Sequence, residues 1–137
     1  MRFRSIGITF SRIYAASLLK TQDKSFYPKL LQLLRPLSLP NAANLLGWHA
    51  EGPFLQLAKR GAHSTAFLRT ATQALKSFDE MYGPENLVDA EDWLMADSTD
   101  SGAVGVRIIT AAPEVAGVMD SIPELTDRGI VFSIGHR

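Results

Sequence analysis

Residues Leu45–His63 read LLGWHAEGPFLQLAKRGAH. An apolar run opens the stretch, Glu51 follows, and Gly52-Pro53 breaks the chain directly after that carboxylate. Apolar strands that stop at a polar group beside a tight turn are how α/β enzymes commonly present catalytic or metal-binding side chains. Leu45–Trp48 is therefore expected to be a strand, with His49, Glu51, Lys59, Arg60 and His63 clustered at and beyond its C-terminal end.

Two later stretches have the same character. Val104–Ala111 (VGVRIITA) and Ile130–Ile134 (IVFSI) are rich in β-branched residues and nearly continuous in apolar character. This pattern predicts strands buried on both faces in a parallel sheet. Helical spacing separates them. Tyr27, Leu30, Leu31 and Leu34 fall on one helical face, with Ser25 as an N-cap, Pro28 in the first turn and Pro36 as the stop. Ala71, Ala74, Leu75 and Phe78 form a second such face, ended by Gly83-Pro84. A third helix is expected to start at Pro113-Glu114, with Val115, Val118, Met119 and Ile122 facing inward, Pro123 breaking or restarting it and Gly129 ending it.

The reading is α/β: about three parallel strands with intervening helices, as in part of a (β/α)8 TIM barrel. Right-handed crossovers place all strand C-termini at one edge. That edge receives Glu51 from the first strand, Glu114 from the second and His136 from the third.

Composition narrows the chemistry. The chain has 137 residues, 46% hydrophobic, with a formal net charge of zero and no cysteine. The balance offers no electrostatic case for nucleic acid or for an anionic membrane surface. No run approaches the ~18 apolar residues of a membrane span. Thiolate sites and disulfides are excluded, a reducing, cytoplasmic location is expected, and any metal site must use His, Asp and Glu. Residues 1–24 are basic and are set apart as an atypical N-terminal segment before a domain over 25–137. An ordinary helix or strand is preferred there over a mitochondrial presequence. Glu85–Asp100 carries six acids and no base, with Trp93, Leu94 and Met95 as its anchor, and reads as a surface excursion.

On spacing alone, each candidate has a structural alternative. Glu51 can cap a turn. Glu114 suits the first turn of a helix, where the macrodipole favours a carboxylate. His49 reads as a packed or supporting histidine rather than a ligand. His136 is penultimate, a position where side chains are often frayed. Glu51 with His136 makes an oxygen–imidazole pair suited to Zn²⁺ or another divalent metal, one ligand short of the usual three.

Taken together, WHAEGPF at Trp48–Phe54, KRGAH at Lys59–His63, ITAAPE at Ile109–Glu114, RGI at Arg128–Ile130 and FSIGH at Phe132–His136 closely resemble the N-acetylglucosamine-6-phosphate deacetylases of the amidohydrolase superfamily. The resemblance implies a metal-dependent TIM barrel that removes acetate from N-acetylglucosamine 6-phosphate. Glu51 and His136 then correspond to metal ligands, and Ala62 and His63 to the substrate-contacting pair, the histidine helping to polarise the acetamido carbonyl. The cofactor implied is a divalent metal, with Zn²⁺ preferred. The substrate is an amino-sugar phosphate, and the full-length family leaves room for a homo-oligomer.

The departures matter too. The family has a small β-sandwich domain and an early barrel strand before the matched region, and segment 1–24 is not expected to correspond to either; Arg137 stands where the family usually has Ser or Thr. The family's further metal-binding histidine, its phosphate-gripping residues and its general-base aspartate follow the last motif. No catalytic residue is therefore assigned here, and the chain alone is expected to be inactive. The alternatives are a non-catalytic half-barrel interaction module and another amidohydrolase.

Overall fold

A computed structural model describes residues 15–19, 23–33, 47–87 and 105–137. The strands are β1 (Ala15–Leu19), β2 (Trp48–Glu51), β3 (Val106–Ala111) and β4 (Val131–Ile134). The α-helices are α1 (Phe26–Leu33), α2 (Leu75–Tyr82) and α3 (Val118–Asp127), one after each of the first three strands. Sheet order is β1-β2-β3-β4 and every pairing is parallel. Strand–helix–strand succession with parallel neighbours is the repeating unit of α/β folds.

The sheet therefore has one strand more than expected. β1 lies inside segment 1–24 and pairs with β2, so that part of the segment joins the same sheet as the rest of the chain. β2 also sits later than the apolar run Leu45–Trp48 suggested, at Trp48–Glu51. Its burial alternates, with Trp48 and Ala50 buried and His49 and Glu51 partly exposed. A half-buried strand shows this period of two.

Register carries the alternation across the sheet. His49 pairs with Ile108, Glu51 with Thr110, and Thr110 with Ser133. These positions share one face. Trp48, Ala50, Val106, Ile109 and Ala111 belong instead to the buried core. Helices supply the rest of that core: Tyr27 and Leu31 from α1, Leu75, Phe78, Met81 and Tyr82 from α2, and Val118 and Leu125 from α3. α2 contacts both α1 and α3. Tyr27 meets Tyr82 edge-on at 5.2 Å, and Phe54 stacks at a tilt on Phe78 at 4.3 Å. Such aromatic pairs add about 0.5–1.5 kcal/mol beyond burial.

α1 starts at Phe26, directly after Ser25 as expected, while α2 and α3 differ from expectation for local reasons. Asp23 ties the turn before α1. Its Oδ1 accepts from the Ser25 amide (2.9 Å) and hydroxyl (2.7 Å), and its carbonyl accepts from the Phe26 N–H. α2 begins at Leu75 because residues 72–74 form turns, so Ala71 and Ala74 precede the helix. Gly83, at φ +85°, ends it and donates its N–H to Asp79. α3 begins at Val118, after Gly117 at φ +79°. Gly117 lies so close to the 71–72 backbone that a Cβ would stand 1.7 Å from the Ala71 carbonyl oxygen. Its buried face is Val118, Ser121 and Leu125, whereas Met119 is 60% exposed. Pro123 lies within the helix, and the Thr126 hydroxyl reaches back to the carbonyls of Ile122 and Pro123.

The acidic excursion beyond residue 87, Leu39–Ala43 and the start of the chain through residue 14 lie outside the described residues. Among the described residues no helix is long and apolar enough to cross a membrane.

Candidate metal centre

The C-terminal ends of the strands are sewn together by backbone hydrogen bonds. Gly52 N–H donates to Thr110 O, Ala112 N–H to Phe54 O, Gly135 N–H to Ala111 O, and Gln56 N–H to His136 O. These bonds fix the exits of β2, β3 and β4 relative to one another. Glu51 and His136 are thereby brought face to face, although 85 positions separate them in sequence.

His136 Nε2 lies 2.5 Å from Glu51 Oε1, and its Nδ1 donates to the Lys59 carbonyl at 2.9 Å. The carbonyl can only accept, so the Nδ1 proton is assigned. Nε2 then meets a carboxylate oxygen either as a lone pair or as a second N–H. At this distance a proton between Nε2 and the carboxylate satisfies both atoms, and metal binding would replace that proton. The Lys59 carbonyl and then Glu51 hold the His136 pKa above its ordinary value, against the opposing effect of burial. A ring N–H donated to a backbone carbonyl is also the arrangement that orients metal-ligating histidines.

His63 joins the pair. Its Nε2 is 3.6 Å from the same Glu51 oxygen, and its ring stands edge-on to His136 at 5.2 Å. The three donor atoms all lie within 4.8 Å of one another. His63 is 7% exposed, while Gly61 and Ala62 beside it are open to solvent. Gly61 at φ +60° turns the chain where a Cβ would stand 3.8 Å from His136 Cε1. His136 itself adopts φ +54°, a conformation uncommon outside glycine and one that concentrates at functional sites. This penultimate residue is anchored through its ring and its carbonyl.

His49 stands apart from the three. Its Nε2 is 2.7 Å from Thr110 Oγ1, and burial pushes its pKa down while Glu51 pulls it up. It is a half-buried histidine held by the Thr110 hydroxyl and lies outside the group of three. Thr110, its partner, was not singled out from the sequence, because one threonine in a β-branched strand is unremarkable. Glu114 does not reach the cluster. It precedes α3 by four residues, is exposed, and borders a surface cavity of about 580 Å³ with Leu55, Leu68, Arg69 and Thr70. Lys59 contributes its carbonyl rather than its ammonium group.

The donor set, one carboxylate and two imidazoles, suits a divalent first-row metal. Among the described residues it is the one such group of three.

No family model matches the chain. It is 32% identical over 136 residues to the human N-acetylglucosamine-6-phosphate deacetylase, covering 98% of this chain and 28% of that enzyme. It is 36% identical over 121 residues to the Danio rerio enzyme of the same name, covering 86% of this chain and 25% of that one. An N-acetylgalactosamine-6-phosphate deacetylase of a Shewanella strain is 35% identical over 92 residues, covering 67% of this chain and 18% of its own.

The fold is shared with solved structures of N-acetylglucosamine-6-phosphate deacetylases. The Mycobacterium smegmatis protein, solved in complex with N-acetyl-D-glucosamine-6-phosphate, superposes with a TM-score of 0.55 at 21% identity, covering 88% of this chain and 26% of its own. The Pasteurella multocida protein gives 0.51 at 23%, covering 92% and 27%. The chain thus spans about a quarter of the length of the relatives it matches. The similarity to the human enzyme also takes in most of segment 1–24, which the motifs had left outside. By sequence the chain belongs, as a partial chain, to the N-acetylglucosamine-6-phosphate deacetylase family.

Proposed function

We propose that these residues form the metal-holding part of an amide hydrolase that removes acetate from N-acetylglucosamine 6-phosphate. The observation that carries the reading is the contact of Glu51 with His136, whose other nitrogen is tied to the Lys59 carbonyl, on a sheet edge matched to deacetylases. Glu51 and His136 would hold a divalent metal, with Zn²⁺ preferred. Bound there, the metal supplies Lewis-acid polarisation of the amide carbonyl and lowers the pKa of water.

The chain's own groups do the rest of the positioning. Lys59 O keeps His136 in the tautomer that presents Nε2 inward. Ala62 and His63 are assigned to the substrate. A protonated nitrogen of His63 would donate to the acetamido oxygen as charge develops on it, the role of an oxyanion-hole donor. Glu51 is the carboxylate of the cluster and is committed to the metal, so proton transfer to the leaving amine needs a group from elsewhere. We accordingly place the chain within a (β/α)8 barrel of a cytoplasmic enzyme and expect no turnover from these 137 residues alone.

Nuclear magnetic resonance of the Zn²⁺-loaded chain tests this reading. Added N-acetylglucosamine 6-phosphate is expected to shift the resonances of Ala62 and His63, and acetate release is expected to stay at the protein-free level. Shifts confined to other regions, or none at millimolar sugar phosphate, would contradict it. Running N-acetylgalactosamine 6-phosphate in parallel separates the two substrates carried in relatives' names.

A second reading, a half-barrel module that pairs its open edge, draws on β4. Val131 is 48% and Ile134 57% exposed on this outermost strand among those described. Unpaired apolar edges favour association. Size-exclusion chromatography of the pure chain separates the readings, because a well-folded monomer argues against the module.

A further inference from the structure

The reading above gives His63 to the substrate and leaves the metal with two protein ligands. The geometry around Glu51 points further. Its Oε1 is shared by two imidazoles, His136 Nε2 at 2.5 Å and His63 Nε2 at 3.6 Å. Zinc binds imidazole nitrogen and carboxylate oxygen at about 2.0–2.2 Å, which sets tetrahedral neighbours about 3.3 Å apart. The His63–Glu51 separation is already within a few tenths of an ångström of that spacing. The His136–Glu51 pair needs to open by about 0.8 Å, and all three donor atoms already lie within 4.8 Å of one another.

His63 is also placed as a ligand would be. It is buried beside the other two donors, and its backbone N–H donates to the Arg60 carbonyl at 3.2 Å, closing the turn that carries the ring to the cluster. The exposed neighbours Gly61 and Ala62 leave one side of the cluster open to solvent. Three protein donors with one open side is the count found in catalytic zinc sites.

We propose that His63 is a metal ligand in the substrate-free chain, so that Glu51, His63 and His136 together hold one divalent cation using these residues alone. This rests on the metal reading of Glu51 and His136 and adds the third donor to it. Each of the three comes from a different part of the fold: the end of β2, the loop after it, and the residues after β4. A cation there would clamp the exits of β2 and β4 to the intervening loop.

Cobalt titration of the chelator-stripped full chain tests the assignment, because the chain contains no cysteine. In a His63→Cys variant, a thiolate-to-cobalt charge-transfer band can arise only from position 63. The unsubstituted chain is expected to bind one Co²⁺. His63→Ala is expected to bind it more weakly by at least the 10–100-fold seen when a group that merely supports a ligand is lost. His63→Cys is expected to recover binding and show the band.

A measurement without substitution stands beside these. On adding Zn²⁺ to the unsubstituted chain, the side-chain nitrogen resonances of His63 and His136 are expected to shift together. If His136 shifts and His63 does not, or if folded His63→Cys binds Co²⁺ without the band, His63 is not a ligand and the two-residue reading survives. If the folded, unsubstituted chain binds no Co²⁺ and no Zn²⁺, both readings fall.

Discussion

Replacing Tyr82 with phenylalanine probes the link between the core and the metal cluster. Tyr82 is fully buried at the C-terminal end of α2, and its hydroxyl donates to the carbonyl of Gly52, the residue directly after Glu51. Tyr82→Phe keeps the ring contacts with Tyr27 and Phe78 but leaves that buried carbonyl without its donor. An unsatisfied buried group costs about 1–3 kcal/mol. At about 2.1 cal/mol/K per residue, 137 residues give about 0.29 kcal/mol/K at the midpoint, so the expected fall in Tm is about 3–10 °C.

The variant also isolates an alkaline effect. Burial, and then the neighbouring Tyr27, push the Tyr82 pKa well above 10.0. Above pH 10 the unfolded chain releases this proton and the folded chain keeps it. The unfolded state then binds fewer protons, so stability falls as pH rises, by up to about 1.4 kcal/mol per unit for this one group. Urea denaturation of both proteins at neutral and alkaline pH provides the assay. The expected result is a stability gap that is largest at neutral pH and narrows above pH 10. A variant as stable as the parent at pH 7, or a gap that widens with pH, would refute the reasoning.

Other outcomes follow from single contacts. Gly117→Ala combines φ +79° with an overlap against the Ala71 carbonyl, so its loss should exceed the ~1 kcal/mol of an ordinary backbone substitution, read by urea denaturation. Arg128→Ala removes a half-exposed ion pair with Asp79 at 3.0 Å and a bond to Leu87 O. It should cost about 1 kcal/mol or less, with the loss shrinking in high salt. In the metal-free chain the His136 pKa is raised, so the stability it contributes is complete below pH 6.5 and is lost as pH rises through the folded value. Proton resonances of its ring should titrate above 6.5 without metal, and Glu51→Gln should bring that midpoint down.

The strands after Gly105 were legible because β-branched runs such as VRIITA have few other uses. β2 was harder. Its apolar prefix drew attention to Leu45–Trp48, whereas the strand is WHAE, whose polar members face the site and disguise it as a loop. The inward face of α3 was misread for a related reason: Ser121 is buried there, satisfied by the Gly117 carbonyl at 2.7 Å, and a serine does not look like core. The starts of α2 and α3 moved because the turn at 72–74 and Gly117 overrode the apolar period, whereas α1 starts directly after Ser25 as expected. At the site, Glu51 and His136 were readable as strand-end polar residues, and Glu114 looked equivalent. What separates them is the path of the chain after β3, where Ala112 is pinned to Phe54 and Glu114 is carried outward. The Lys59 carbonyl that orients His136 had no signature, since every residue carries one.

The chemistry of the site depends on Glu51 and His136 holding a divalent metal. Isothermal titration of Zn²⁺ into the chelator-stripped chain, run in buffers of different ionisation enthalpy, tests this most directly. One equivalent is expected to bind, with protons released to the buffer near pH 6.5, where the metal displaces the proton held on His136, and binding is expected to be lost in a folded Glu51→Gln variant. Absence of saturable binding in the folded parent chain, or Glu51→Gln binding zinc as tightly as the parent, would contradict it.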